Sequence, residues 1–238
     1  MLSNLLRDLI SSLFGNGPVL EGSVQPSPIG GLGIFANRDF KEGEILCRMR
    51  GEPISIADLE QLYRSGDMRI TCDPYQLDEH TYINLEKPYL YINHSCDPNA
   101  AIKGVDTLVA VRSISKGTEI TYDYSAMEWT PCEYVQYDST LWPLRCKCGS
   151  QKCRKIITCF PYLPSRTRLE YLERGVIEDF ILRKILGSTH EQRCLTCEKI
   201  LNFQGEISFS DTEKEISKRL LRRELPVAAV PEELSTVS

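Results

Sequence analysis

The residues most able to do chemistry lie in three short stretches. The first is RCKCGSQKCR, where Cys146, Cys148 and Cys153 have the pattern C-x-C-x4-C. Alternate residues of an extended chain face the same side, so Cys146 and Cys148 can address one ion. Gly149 lets the chain turn back to deliver Cys153. Three thiolates leave a tetrahedral zinc site one ligand short. Cys132, Cys159, His94 and Cys96 are all candidates for the fourth, and local spacing does not choose among them. The second stretch, NHSCDPNA at residues 93–100, holds His, Cys, Asp and Asn, types that serve both metal sites and catalytic triads. The third, EITYDY, sets Tyr122 and Tyr124 on one face of an expected strand and Asp123 on the other. Taken alone, two neighbouring phenols read as ordinary core or cross-strand pairs.

Two weaker signals accompany them. In GGLGIFA, Gly31 and Gly33 precede a strand rather than joining a strand to a helix, so they are not a dinucleotide-binding fingerprint. Cys194 and Cys197 form a single C-x-x-C with His190 four residues earlier. Two ligands make half a zinc site, and the pair reads more simply as ordinary thiols. Cys47 and Cys72 fall in expected strands and read as core.

Elements to position these residues follow from the hydrophobic pattern. Leu2, Leu5, Leu6, Leu9, Ile10, Leu13 and Phe14 have helical spacing, ended by Gly15, Gly17 and Pro18. From Val24 to Tyr124 the text becomes short apolar runs separated by turn signals: GGLGIFA, EILCRM, RITCD, TYINL, TLVAV and EITYDY read as strands. Within them, Ser55 and Asp58 form a capping box opening a short helix that Gly66 ends. Residues 125–145 read as a long loop. After Pro164 one apolar face runs through Leu169, Leu172, Val176, Ile177, Phe180, Ile181 and Ile185, and a further helix is expected over 211–224. The tail from Pro226 reads as frayed. Strand–helix–strand units with long helices are absent, which excludes a Rossmann-type fold.

Composition narrows the function class. The chain has 238 residues, 42% hydrophobic and 26% charged, with net charge −5. It is long enough to bury a core without disulfides. Only short basic runs occur, so no direct nucleic-acid partner is expected, and a basic protein suits the acidic balance better. No run is long and apolar enough for a membrane span. Ten cysteines without a clear secretory signal point to reduced, metal-binding thiols and an intracellular setting, cytoplasmic or nuclear.

The order G-x-G, NHSCxPN, EITYDY, C-x-C-x4-C resembles the SET-domain family of protein-lysine methyltransferases with a post-SET zinc motif, over roughly residues 24–155. The segments LRCKCGSQKCR, ITCFPYLP and YLERGVIEDFI look like the compact SET proteins of bacteria, which implies a secreted effector if the source lives inside host cells. The resemblance implies a mainly β fold with added helices, of β-clip and pseudoknot-like topology, with a C-terminal helical extension. The implied segments are an N-terminal helix over 1–20, the SET domain over 21–125, a zinc segment over 126–160 and helices over 161–238.

The activity implied is S-adenosylmethionine-dependent methylation of a protein lysine, on a histone-like or other basic substrate. Gly31, Leu32, Gly33, Tyr91, Asn93 and His94 would line the cofactor pocket, the glycines through a close backbone approach. Cys96 would join Cys146, Cys148 and Cys153 on zinc. Tyr124 would be the catalytic phenol. Tyr122 stands where the family has Phe or Tyr, and a tyrosine there implies mono- or dimethylation. The chain departs from the family pattern in two places. Met49-Arg50-Gly51-Glu52 replaces Tyr-x-Gly-Glu, and residues 86–91 replace Gly-Asn-x-x-Arg-Phe, leaving Tyr82, Tyr89 or Tyr91 to rebuild the aromatic channel. A SET fold that binds without turnover is the alternative these departures raise. A zinc-dependent nucleic-acid binder is disfavoured by the acidic balance.

Overall fold

The computed structural model describes residues 18–65, 74–129, 144–187 and 195–223. The expected N-terminal helix, the RITCD strand, Gly66, most of the 125–145 loop, Cys132, His190, Cys194 and the tail lie outside them.

Strands β1 (Gly22–Pro26) and β2 (Leu32–Ala36) pair antiparallel from Gly22↔Ala36 to Pro26↔Leu32. The turn between them needs Gly31, whose φ of 58° is left-handed. Beyond it, β3 (Ile45–Arg48), β4 (Gly51–Ser55) and helix α1 (Ile56–Ser65) follow, then β5 (Tyr75–Gln76) and β6 (Thr81–Leu85). Next come β7 (Asn93–His94), β8 (Ala100–Lys103), β9 (Thr107–Ala110) and β10 (Glu119–Tyr122). The sheets have the orders β1-β2-β10-β7, β3-β9-β8 and β4-β6-β5. β7 and β10 run parallel, so the chain must cross over between them, and the β8–β9 hairpin is that crossover. Ile34, Phe40, Leu46, Ile83, Ile92, Leu108 and Ile120 fill the core these sheets share.

The runs EILCRM, TYINL, TLVAV and EITYDY fall on β3, β6, β9 and β10, and Cys47 is buried in β3. The α1 cap is also as expected: Ser55 Oγ accepts from the Asp58 N–H at 3.1 Å. β4 was not among the expected strands. Its place at the edge of a sheet explains the proline, which has no N–H to give to a second neighbour. β10 stops at Tyr122, two residues early, because the Asp123 carboxylate caps a short 3-10 turn, Tyr124–Ala126, by accepting from the Ser125 N–H.

The C-terminal part starts with β11 (Leu144–Arg145) and β12 (Ile156–Ile157), a hairpin closed around the cysteines. Helices α2 (Ser165–Arg174), α3 (Asp179–Gly187), α4 (Leu195–Leu201) and α5 (Asp211–Arg223) follow. The single periodic face read from Leu169 to Ile185 is two helices. Gly175, at φ 64°, ends α2, with its N–H on Leu172 O and that of Val176 on Tyr171 O. The apolar spacing stays in phase across the break, so periodicity could not reveal it. α4 was not expected.

Trp129, Phe160, Leu172, Phe180, Ile181 and Phe209 form a second core here. Arg168 lies buried in it. It donates to Glu213 Oε1 at 2.7 Å and to the carbonyls of Pro161, Leu163 and Ser208, each at 3.1 Å. Glu213 also accepts from the Ser210 N–H, while Ser210 Oγ accepts from the Glu213 N–H, which completes a capping box at the start of α5.

Burial by itself would raise the Glu213 pKa, but Arg168 and Ser210 outweigh it and hold the carboxyl below its ordinary 4.5. A lowered folded pKa stabilises the fold above the unfolded value, and that contribution is lost as pH falls through the folded one. Thermal unfolding of Glu213→Gln should therefore fall short of the parent at neutral pH and approach it in acid. Arg168→Met strands a buried carboxylate and should cost about 3–5 kcal/mol. Unfolding curves superimposable on the parent would contradict the pair's role.

Candidate functional site

Cys96 follows β7 in a tight turn, where the Ser95 N–H donates to Tyr122 O and Ser95 Oγ accepts from the Asp97 N–H. The β11–β12 hairpin brings Cys146, Cys148 and Cys153 to it. All four Sγ atoms lie within 4.8 Å of one another, and Cys96 and Cys146 are 3.7 Å apart. Four sulfurs bonded to one zinc at about 2.3 Å would stand about 3.8 Å apart, so the set fits a tetrahedral ion. Backbone N–H groups also face the sulfurs: Arg154 on Cys96 at 3.3 Å, Cys148 on Cys146 at 3.5 Å and Lys155 on Cys153 at 3.4 Å. Such donors steady negative charge on thiolates. Without a cation, burial pushes Cys96 up to about 11. Of the other candidates for a fourth ligand, Cys159 instead meets Cys197 at 3.5 Å, both fully buried.

His94 sits behind this cluster. Its Nδ1 accepts from the Tyr124 N–H at 3.2 Å, which assigns the ring proton to Nε2, 3.2 Å from Cys96 Sγ. Burial lowers its pKa to about 4, so the ring is neutral at pH 7. Both nitrogens are engaged inside the protein. What His94 can offer a small molecule is its main chain.

The two phenols meet although only one is on the strand. The Tyr122 and Tyr124 rings stand 4.9 Å apart, tilted at 44°. Tyr124 Oη donates to Ile92 O at 2.9 Å, and its ring meets the His94 ring edge-on at 5.4 Å. Asp123, between them, points away. Its carboxylate accepts from Arg154 Nη2 at 2.6 Å, from the Ser125 N–H at 3.0 Å and from Tyr171 Oη at 2.8 Å.

The glycine stretch lies across β10 from Asn93. Asn93 Nδ2 donates to Leu32 O at 2.9 Å and to Glu119 Oε1 at 2.7 Å, and Ser27 Oγ donates to the same carboxylate. A Cβ at Gly33 would overlap Glu119, so in this structure the missing side chain makes room for that carboxylate. Gly31 and Leu32 are exposed. Tyr91 ends a 3-10 turn (Tyr89–Tyr91) and packs on the main core. Tyr82 is wholly buried and donates to Glu128 Oε2 at 3.2 Å, which takes it out of a channel wall.

Two residues of this site escaped the sequence reading. Glu119 read only as the start of a strand. Asn99 donates to Glu119 O at 2.8 Å and accepts from the Thr121 N–H at 2.9 Å, standing in for a strand beside β10. Its signal was available: an amide side chain offers the donor and acceptor of a peptide group. A cavity of about 760 Å³ lies elsewhere, lined by Ile45, Arg48, Lys103, Asp106 and Arg174, and none of the site residues borders it.

With this geometry in view, the chain can be set beside known proteins. The family model described as the SET domain matches residues 31–125. The histone-lysine N-methyltransferase trithorax of Drosophila virilis is 32% identical over 142 residues, covering 55% of this chain and 3% of that protein. A variant-silencing SET domain-containing protein of Plasmodium falciparum is 30% identical over 141 residues, 52% of this chain and 5% of its own. Human histone-lysine N-methyltransferase 2B is 29% identical over 146 residues, 56% of this chain and 5% of its own. The chain thus spans a twentieth or less of the length of these relatives. The match ends with the Y-D-Y motif and begins with the glycines that lie across β10 from Asn93: residues 31–125 are a SET domain.

Proposed function

We propose that this chain is an S-adenosylmethionine-dependent protein-lysine N-methyltransferase that adds one or two methyl groups, with one zinc held by Cys96, Cys146, Cys148 and Cys153. The observation that carries the reading is the register Tyr122↔His94 in the β7–β10 pair. It sets the paired phenols against the Asn-His step, one hydrogen bond from the thiol cluster. Asn93 and the exposed backbone at Gly31 and Leu32, joined through Asn93 Nδ2, fit a cofactor edge. Tyr91 borders the same region. We assign the SET unit to 21–125, the zinc segment to 126–160 and the helical extension to 161–238.

S-adenosylmethionine, when bound, supplies a methyl group already activated on a sulfonium. The protein must supply alignment and a neutral amine. Lysine has a pKa near 10.4, and an apolar channel favours its neutral form by desolvation. Tyr124 sends its proton to Ile92 O, so its oxygen can accept an N–H of the amine and orient the nitrogen. His94, neutral and internally bonded, holds the Tyr124 backbone and is not the base. Tyr122 narrows the channel with one extra hydroxyl, which limits how far a methylated amine can turn.

The relatives are named for histone-lysine methylation. A histone-like tail or another basic protein suits the net charge of −5, and the setting is intracellular. A binding module without turnover is the second reading. Met49 favours it: the residue at the family's channel tyrosine is wholly buried in the core, so no phenol is offered there.

Tyr124→Phe should lower methyl transfer to a basic protein by about 100-fold. Equal turnover by mutant and parent would remove Tyr124 from the reaction. Tyr122→Phe should carry products on to trimethyl-lysine in mass spectra, and trimethyl-lysine made by the parent would overturn its limiting role. Purified protein should hold one zinc per chain by elemental analysis, and Cys153→Ser should lose it. A folded, fully active chain with no metal, in which Cys96, Cys146, Cys148 and Cys153 react as free thiols, would contradict the zinc assignment.

A further inference from the structure

We propose that Tyr171, on helix α2 of the C-terminal extension, is a positioning residue for methyl transfer, acting through Asp123 on the phenols to either side of it. This rests on the methyltransferase reading above. Tyr171 lies outside the SET match at residues 31–125 and beyond the cysteine cluster, so no family motif assigns it a role.

His94 Nδ1 stands 3.5 Å from Asp123 Oδ1, and the carboxylate's hydrogen bonds come from elsewhere. Asp123 is 2% exposed and is the residue between Tyr122 and Tyr124. Its Oδ2 accepts from Tyr171 Oη at 2.8 Å; its Oδ1 accepts from Arg154 and from the Ser125 N–H. Arg154 also donates its backbone N–H to Cys96 Sγ, so one residue joins the thiol cluster to the carboxylate. Tyr171 belongs to the second core and Tyr122 to the first. The hydroxyl–carboxylate bond is therefore a polar clasp where the two cores meet.

A small void of about 10 Å³, about the room of one water, lies between Tyr122, Asp123 and Tyr171. Close-packed side chains would hold Asp123 by volume exclusion, whereas beside a void the direction of the carboxylate depends on its hydrogen bonds. If the Asp123 carboxylate swings, the Ser125 N–H loses its cap, the turn that carries Tyr124 loosens, and the phenol pair can leave its 4.9 Å contact. The helical extension is thus a working part of the site.

The test uses the full zinc-loaded chain with Tyr171→Phe, Asp123→Asn, their double mutant, and Tyr162→Phe as a control that removes another hydroxyl of the C-terminal part, the one donating to Glu198. Two readouts are taken. Steady-state kinetics with a histone mixture should show kcat lowered about tenfold or more in Tyr171→Phe, with KM for S-adenosylmethionine within about twofold of the parent. Amide exchange by mass spectrometry should quicken at Ser125 and Tyr124 while the β2 and β9 amides, the zinc content and the control stay as in the parent. The losses should be non-additive: Tyr171→Phe should cost little more once Asp123 is Asn. Unchanged kcat with unchanged exchange at Ser125 would overturn the proposal. So would additive losses, or a general rise in exchange with lost zinc, which would make Tyr171 a structural residue only. If the parent transfers no methyl group, the exchange readout still decides the Tyr171–Asp123 link, and the methyltransferase reading is what fails.

Discussion

The parallel contact between β7 and β10 is the constraint on which the rest depends. Two strands of two and four residues could not hold together alone. They are held because β10 is gripped on both sides: by β2 in antiparallel register, and by β7 with Asn99, whose amide extends the ladder ahead of the start of β7. Through this one pairing the Asn-His step, the phenol pair and Cys96 become neighbours, although residues 93 and 124 are separated by a whole hairpin.

Buried polar groups extend that arrangement into the C-terminal part. Asp123, Arg154, Ser125 and Tyr171 bond to one another, and they come from three segments: the capped turn after β10, the β11–β12 hairpin and helix α2. A buried ion pair gains little net stability, since desolvation offsets its attraction. Its effect is on specificity: few alternative packings would satisfy Asp123 and Arg154 together. Arg168 and Glu213 do the same for the helical layer. The thiol cluster and the helices are thus tied to the strand motif by directional bonds as well as by apolar contact.

The residues that meet at the site were legible in the sequence to a large extent, for a physical reason. Thiols at C-x-C-x4-C and phenols around Asp123 are unusual types at fixed local spacing, and local geometry constrains them strongly. The choice of Cys96 over Cys159 or His94 was not legible from spacing, because it depends on the crossover that brings residue 96 to residue 146. The resemblance supplied it, and the sulfur positions agree. Misreadings had local causes as well. Pro53 hid an edge strand, Gly175 broke a helix without disturbing the apolar phase, and Asp123 ended β10 early by bonding to its own backbone neighbour. Glu119 and Gly33 show the limit from the other side: the glycine that reads as a cofactor contact also lies against a carboxylate nearly ninety residues away, which no local spacing reveals.

The most direct measurement is the fate of the methyl group of labelled S-adenosylmethionine when the zinc-loaded chain is mixed with histones and a cell extract, read by peptide mass spectrometry. Label on lysine side-chain nitrogen, as one or two methyl groups, is the expected result. Binding of S-adenosylmethionine without label on any protein would contradict catalysis and leave a SET fold that only binds.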